Sequence, residues 1–275
     1  MTTEQTVASH YTHGSLLQAI LDALKGMGKD VEHLSPADLS AADEFHLGWR
    51  AATAELAKDL GLARGMHVLD VGSGIGGPAR FFAEAHGCRA TGIDLTEEFV
   101  RVATELTRRC GLSELISFRQ ASALDLPFGA AAFDAATLIH VGMNIQDKAG
   151  LFRNVRRVLK PGALFCVYEV MQVEAGELPY PMPWAQTIET SFVATPETYR
   201  TLLTAAGFKV EREENRRDFA RKLAAEMREK AAIQGAPPLG LHTLIGPAWR
   251  DRLANVMATL ERGTIAPIEM IARVV

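Results

Sequence analysis

The stretch Val68-Leu69-Asp70-Val71-Gly72-Ser73-Gly74-Ile75-Gly76-Gly77 decides how the rest of the chain is read. Its first four residues form a short apolar run that suits a buried strand, and its glycines crowd into the loop that follows. Glycine lets a backbone turn tightly and approach a ligand closely. Pro78 to His86, closed by Gly87, reads as the next helix, whose N-terminus offers unpaired amides. Gly72, Gly74 and Gly77 also satisfy the dinucleotide pattern G-x-G-x-x-G. By themselves, therefore, the glycines leave the ligand open, and a purely structural turn remains one reading.

Downstream the pattern alternates. Ala90 to Asp94, Ile116 to Gln120, Phe133 to Ile139 and Ala163 to Val170 read as further strands. The last is apolar at nearly every position, as a central parallel strand should be. Thr96 can cap a helix with Glu97 and Glu98 in its first turn and Arg108 and Arg109 in its last, which suits the helix dipole. A further helix from about Asp147 to Leu159 stops at Lys160-Pro161-Gly162. Strands alternating with helices imply an α/β fold, a parallel sheet covered on both faces.

Upstream, the first 65 residues read as helical. Ser15-Leu16-Leu17-Gln18 has the capping-box form, and Leu16, Leu17, Ile20, Leu21 and Leu24 make an apolar stripe. Ser35-Pro36 is a second start, and a third helix covers about Arg50 to Leu60. Beyond the fifth strand, Leu178 to Thr195 is irregular and Pro-rich. Thr195-Pro196 opens a helix ending at Gly207, a strand lies near Val210, and 216–263 is mostly helical with a break at 235–240. Ile265 to Val275 is a last strand.

Composition narrows the function classes. The chain has 275 residues, 48% of them hydrophobic and 23% charged, as in an ordinary globular protein of one or two domains. The net charge of −4 and the lack of a concentrated basic face argue against a nucleic-acid partner. The basic stretch Arg212 to Lys230 is interleaved with five acids and reads as a solvated helix surface. Cys88, Cys110 and Cys166 have neither metal spacing nor a disulfide pattern, so no metal is expected, and Cys166 reads as a buried thiol. No signal core and no long apolar run stand out, so a cytoplasmic protein without a membrane span is expected.

Three features break the tie at the glycine loop. Asp70 would repel a pyrophosphate but can engage an ammonium through ordered water. Asp94 ends the second strand, where a carboxylate accepts both ribose hydroxyls. Arg157-Val158-Leu159-Lys160-Pro161-Gly162-Ala163 supplies a Pro-Gly turn ahead of the fifth strand. With these in order, residues 66–170 resemble the class I S-adenosylmethionine-dependent methyltransferases. The resemblance implies a Rossmann-like seven-stranded sheet whose last strand runs antiparallel beside the fifth. Residues 1–65 would be a helical cap or lid. Residues 66–275 would be the cofactor domain, with a helical insertion at about 171–263 that supplies an acceptor wall and a homodimer contact. The loop residues Asp70, Gly72, Ser73, Gly74 and Gly76 would face the methionine part of S-adenosylmethionine, with S-adenosylhomocysteine as product. Asp94 would hold the ribose and Leu95 would pack on the adenine. Ser122 stands where the family has an Asp, Ala123 would give a backbone contact, and Ile139 completes the set. More narrowly, Asp43-Glu44-Phe45-His46-Leu47-Gly48 resembles a segment of the sarcosine and dimethylglycine methyltransferases and of natural-product methyltransferases. Among N, O and C acceptors of a small molecule, it slightly favours an amine.

Methyl transfer is an in-line displacement that needs a nucleophile about 3–3.5 Å from the methyl carbon in a dry pocket. His140, following the fourth strand, would orient or deprotonate the acceptor, or is simply a partly buried His with a backbone partner. Asn144 would bond the substrate or cap the helix at Asp147. Tyr11 would face the sulfonium or only pack, and His46 belongs to the family-like segment. Glu169 would bind a cationic substrate, act as base or form a salt bridge. Trp184 would wall the acceptor site or pack in the core. His13 reads as surface and His242 as an ordinary loop residue. Three rivals stand beside this reading. A nicotinamide oxidoreductase is disfavoured by Asp70 and by the absence of a Tyr-x-x-x-Lys dyad near the fourth strand. A second is a cofactor-binding protein without transfer chemistry. A lipid-directed enzyme of the cyclopropane-synthase kind lacks the expected basic amphipathic helix.

Overall fold

Seven strands form one sheet: β1 (His67–Val71), β2 (Arg89–Asp94), β3 (Ile116–Gln120), β4 (Phe133–Ile139), β5 (Leu159–Gln172), β6 (Phe208–Asn215) and β7 (Ile265–Val274). The computed structural model describes every residue except 1, 13, 236 and 247, so the reading of His13 lies outside the described residues. The strand order is β3-β2-β1-β4-β5-β7-β6. β1 to β5 pair in parallel, and β7 runs antiparallel between β5 and β6, as the family resemblance implied.

Successive side chains on a strand point to opposite faces, and both faces here are covered. Val68, Ala135, Cys166 and Ile271 meet Leu56 of helix α4 (Trp49–Asp59) and Phe82 of α5 (Gly77–His86). Leu69, Ala136, Phe165 and Ala272 meet α7 (Lys148–Val158) through Phe152 and Val155, and α8 (Pro196–Ala205) through Tyr199 and Leu203. Burial on both faces explains why the central strands are apolar at consecutive positions. At the N-terminus lie α1 (Thr3–Tyr11), α2 (Leu16–Gly26) and α3 (Pro36–Asp43). The α2 stripe of Leu16, Ile20, Leu21 and Leu24 is buried against Phe99, Val102 and Leu106 of α6 (Glu97–Arg109). Helices α9 (Arg217–Gln234), α10 (Leu241–Ile245) and α11 (Trp249–Arg262) follow β6.

Three local expectations need correction. Ser15 makes no side-chain cap for α2. The carboxylate of Glu98, brought over by α6, takes that role, accepting from the amides of Gly14 (2.8 Å) and Leu16 (3.1 Å). A buried anion at a helix N-terminus satisfies orphan donors and the dipole together. Thr96 likewise makes no side-chain cap for α6. Finally, β5 starts at Leu159, which pairs with Phe133 before the register slips, so Lys160-Pro161-Gly162 is an irregularity inside a strand rather than its entrance.

The N-terminal helices are pinned to the glycine loop by one buried ion pair. Arg80, on the first turn of α5, donates through Nη2 to Asp43 Oδ2 (2.8 Å) and to the loop carbonyl of Ile75 (2.6 Å). Its Nη1 donates to Thr107 Oγ1 (2.9 Å). Both side chains are almost wholly buried, at 0% and 2% exposed. Gly77 makes the approach feasible, since a Cβ there would lie 2.1 Å from the Asp43 carbonyl oxygen. Removing one partner of such a pair leaves an uncompensated charge inside the protein. The Arg80→Met variant should therefore lose about 3–5 kcal/mol of stability in urea unfolding. A variant as stable as the parent would contradict this role.

Candidate active site

The site lies at the carboxyl ends of β1, β2 and β4, where open α/β sheets hold their ligands. The glycine loop enters it with a left-handed backbone at Gly72 (φ 73°) and Gly74 (φ 52°). A Cβ on Gly72 would fall 2.4 Å from a methyl of Val141, so only glycine fits there. One wall carries Asp70, Ser73, Asp94 and Leu95. Asp70 Oδ1 accepts from Thr137 Oγ1 (2.8 Å), while its Oδ2 and the Ser73 hydroxyl are buried without a partner. Burial, and then the nearby Asp94 charge, push the Asp70 carboxyl up to about 6. Asp94 accepts from the amides of Gly74 (3.0 Å) and Thr96 (2.8 Å), and burial raises it too. Two acids and an unpartnered hydroxyl on one wall suit a ligand rich in N–H and O–H donors. They do not suit a pyrophosphate.

The opposite end is apolar and aromatic. Tyr11 of α1, Phe45 and Leu47 of the 43–48 segment, Trp184, and Val256 and Met257 of α11 line it. His46 and His140 stack at 5.9 Å between ring centroids, and both meet Tyr168 edge-on. Burial pushes His46 down to about 4, and its Nε2 lies 3.0 Å from the Trp49 carbonyl oxygen. Burial and the neighbouring His46 hold His140 well below the usual imidazole range. Its backbone amide donates to Tyr168 O (2.8 Å), yet both ring nitrogens are without a partner. His140 also sits at φ 53°, a conformation that costs energy in a non-glycine residue.

The cavity wall thus brings together Asp70, Gly72, Ser73, Gly74, Asp94, Leu95, Ala123, Ile139, Tyr11, His46, His140, Asn144 and Trp184. Three expected residues lie off it. Gly76 caps α5 in a left-handed conformation, packed so closely that a Cβ would meet Phe118 and Arg80. The Ser122 hydroxyl accepts from the Leu124 amide (3.0 Å) and donates to Glu4 Oε1 of α1 (2.5 Å). Glu169 forms neither a salt bridge nor a substrate wall. Its Oε1 accepts from the amides of Val141 and Gly142, at 2.8 Å each, and holds the loop that carries His140. Asn144 does not cap α7, because Asp147 does so itself through the Gly150 amide (2.8 Å). Instead Asn144 accepts from the Tyr11 hydroxyl (3.2 Å) and donates to Trp184 O (2.8 Å), tying α1 to the insertion. His242 contacts Pro238 O and the Trp249 ring, outside the cavity.

Sequence reasoning missed Trp49. It lines the cavity with φ 46° and a buried indole N–H that has no partner. The only signal was its position directly after Gly48. Among the described residues there is no cluster of three or more metal-ligating side chains. Nor is any described helix long and apolar enough to cross a membrane.

A family model described as a methyltransferase domain matches residues 69–167. The erythromycin 3''-O-methyltransferase of Saccharopolyspora erythraea is 34% identical over 124 residues, 45% of this chain and 40% of that protein. The O-methyltransferase resE of Aspergillus sclerotiorum is 29% identical over 227 residues, 82% of each chain. The chain spans less than half the length of the sterol C-24 methyltransferases that it also matches. Among solved structures, the [4+2]-cyclase SpnF superposes with a TM-score of 0.70 at 26% identity, covering 100% of this chain and 97% of that one.

Burial pushes the Glu169 carboxyl up to about 8, against an ordinary value of 4.5. The folded chain keeps that proton across a range where the unfolded chain has released it, so stability falls as pH rises from about 4.5 to 8. Glu169→Gln removes this contribution. The fall in melting temperature between those pH values should then be smaller in the variant by roughly 5 °C. Parallel curves for the two proteins would contradict the assignment.

Proposed function

Because the chain belongs to the class I S-adenosylmethionine-dependent methyltransferases, we propose that it methylates an oxygen, or an activated carbon, at the uncharged reacting end of a largely apolar small molecule. The observation that carries this reading is His140, a neutral imidazole with both nitrogens unpartnered on the wall of an apolar cavity. S-adenosylmethionine, when bound, supplies an electrophilic methyl on a sulfonium sulfur. Asp94 would hold its ribose, Asp70 and Ser73 its amino-acid end, and Leu95 and Ala123 its adenine. These residues fit it, because the unpartnered Asp70 Oδ2 and Ser73 hydroxyl are what a cationic, hydroxylated ligand satisfies.

His140 then serves as base. A hydroxyl becomes strongly acidic once its oxygen bonds to the methyl carbon, so even a weakly basic imidazole takes the proton on a ring nitrogen. Glu169, through the Val141 and Gly142 amides, keeps that ring in place. His46 stacks behind it, and Tyr11, tethered to Asn144, closes the cavity with α1. Residues 1–65 act in this reading as the cap, 66–275 as the cofactor domain, and 171–263 as the acceptor wall.

The acid-aromatic-His segment pointed to an amine, and the electrostatics argue for oxygen instead. An amine that arrives protonated has no lone pair to attack with, and a free carboxylate near His140 would be needed to hold it and take its proton. Asp43 is committed to Arg80, and Glu44, pushed up to about 8 by burial, is bonded to Thr53. Glu169 is bound to loop amides. A second reading, in which the cofactor binds without methyl transfer, is favoured by the end-to-end likeness to SpnF, a cyclase.

Screening hydroxylated acceptors for S-adenosylhomocysteine release separates the two, since the second reading allows no release. Calorimetry should show Asp94→Ala weakening S-adenosylhomocysteine binding by roughly 10-fold or more, about the size of one charge-assisted hydrogen bond. His140→Ala should keep that affinity and lower kcat about 100-fold. Turnover by His140→Ala at the parent rate would remove His140 from the chemistry.

A further inference from the structure

We infer that Arg252 makes the mouth of the acceptor cavity a subsite for an anionic group, a carboxylate or phosphate borne on the far end of an otherwise apolar acceptor. The inference rests on the reading of the apolar cavity as the acceptor site, and it adds a second point of recognition remote from His140.

Helix α11 faces two ways. Leu253, Val256 and Met257 line the acceptor cavity. Arg252 instead reaches His10 Nε2 through Nη1 (3.0 Å) and Gln186 Oε1 through Nη2 (3.1 Å). His10 and Gln186 belong to the lining of a second cavity, together with the hydroxyl-bearing Thr6, Ser9, Thr187 and Thr190. Val7 and Trp184 line both cavities, so the apolar chamber and the polar one adjoin at these two side chains.

Arg80, Arg109 and Arg216 have the carboxylates of Asp43, Glu105 and Glu214, while Arg156 and Arg217 spend their donors on backbone carbonyls. Among the described residues no carboxylate pairs with Arg252. Its guanidinium carries five N–H donors in a fixed fork. Two are met by neutral acceptors, and the Nε donor is shielded from water without a partner. The His10 contact is itself contested, since His10 Nε2 also lies 3.1 Å from the Pro183 carbonyl oxygen. A ring nitrogen either donates or accepts. When it donates to Pro183 it cannot accept from Arg252. A half-buried cation without a counter-charge is costly. A carboxylate or phosphate relieves that cost by taking two parallel N–H bonds.

The test uses the full chain loaded with S-adenosylhomocysteine and two probes of equal apolar length, decanoate and decan-1-ol, titrated by calorimetry. The parent should bind decanoate about 10-fold tighter or more, roughly the margin of one charge-assisted hydrogen bond over a neutral one. Arg252→Met keeps the apolar stem. It should level the two probes by weakening decanoate alone, with decan-1-ol and S-adenosylhomocysteine affinities unchanged. Equal binding of both probes by the parent overturns the proposal, as does a preference that survives in Arg252→Met. A variant that loses S-adenosylhomocysteine affinity but keeps the probe preference places the guanidinium on the cofactor's own carboxylate and overturns it equally. Failure of the parent to bind S-adenosylhomocysteine counts against the methyl-donor reading. The same probe pair, titrated without it, still decides the role of Arg252.

Discussion

The Asp43–Arg80 pair is the constraint on which the site depends. Arg80 reaches the carbonyl of Ile75 inside the glycine loop, Asp43 on the last turn of α3, and Thr107 on α6. One guanidinium thus joins the cofactor loop, the N-terminal helices and the helix behind β2. Asp43 also opens the segment that delivers Phe45, His46 and Leu47 to the cavity. Gly77 is the enabling residue, because any side chain would hold α3 away from the loop. A glycine that fits a nucleotide fingerprint therefore works here as a packing residue.

Charge is handled the same way throughout the interior. Asp70, Glu44 and Glu169 are all raised by burial, to about 6, 8 and 8, while His46 is lowered to about 4. Each shift favours the neutral form, because low-dielectric surroundings penalise charge of either sign. The result is a chamber that is apolar and poor in charge, beside the wall that carries Asp70 and Asp94. Such a division suits displacement at a sulfonium, where a positive charge is consumed and water must stay out. Arg252, bonded to His10 and Gln186, stands outside that pattern, with no carboxylate partner among the described residues.

The sheet was legible because its strands are buried on both faces and its helices begin and end at glycines and prolines. The antiparallel β7 came from family likeness, since periodicity alone does not give direction. The start of β5 was misplaced because a Pro-Gly pair usually breaks a strand, whereas here the β4–β5 register absorbs it. Asp70, Asp94 and the loop glycines were legible as neighbours because they lie at strand ends, where topology fixes position. Gly76, Ser122 and Glu169 were not, because what removes each from the cavity is a distant partner: Phe118, Glu4 and the Val141–Gly142 amides. Trp49 carried only its place directly after Gly48, and Arg252 carried no local signal. What singles them out is an unpartnered buried donor, and that exists only once the chain has folded.

The central claim is that the crevice between the glycine loop and Asp94 takes a sulfonium nucleoside. Titration of the unmodified protein with S-adenosylhomocysteine and, separately, with NADH is its most direct measurement. The account predicts saturable one-to-one binding of the nucleoside and no measurable heat with NADH. Binding of NADH at that crevice with no response to S-adenosylhomocysteine would contradict it.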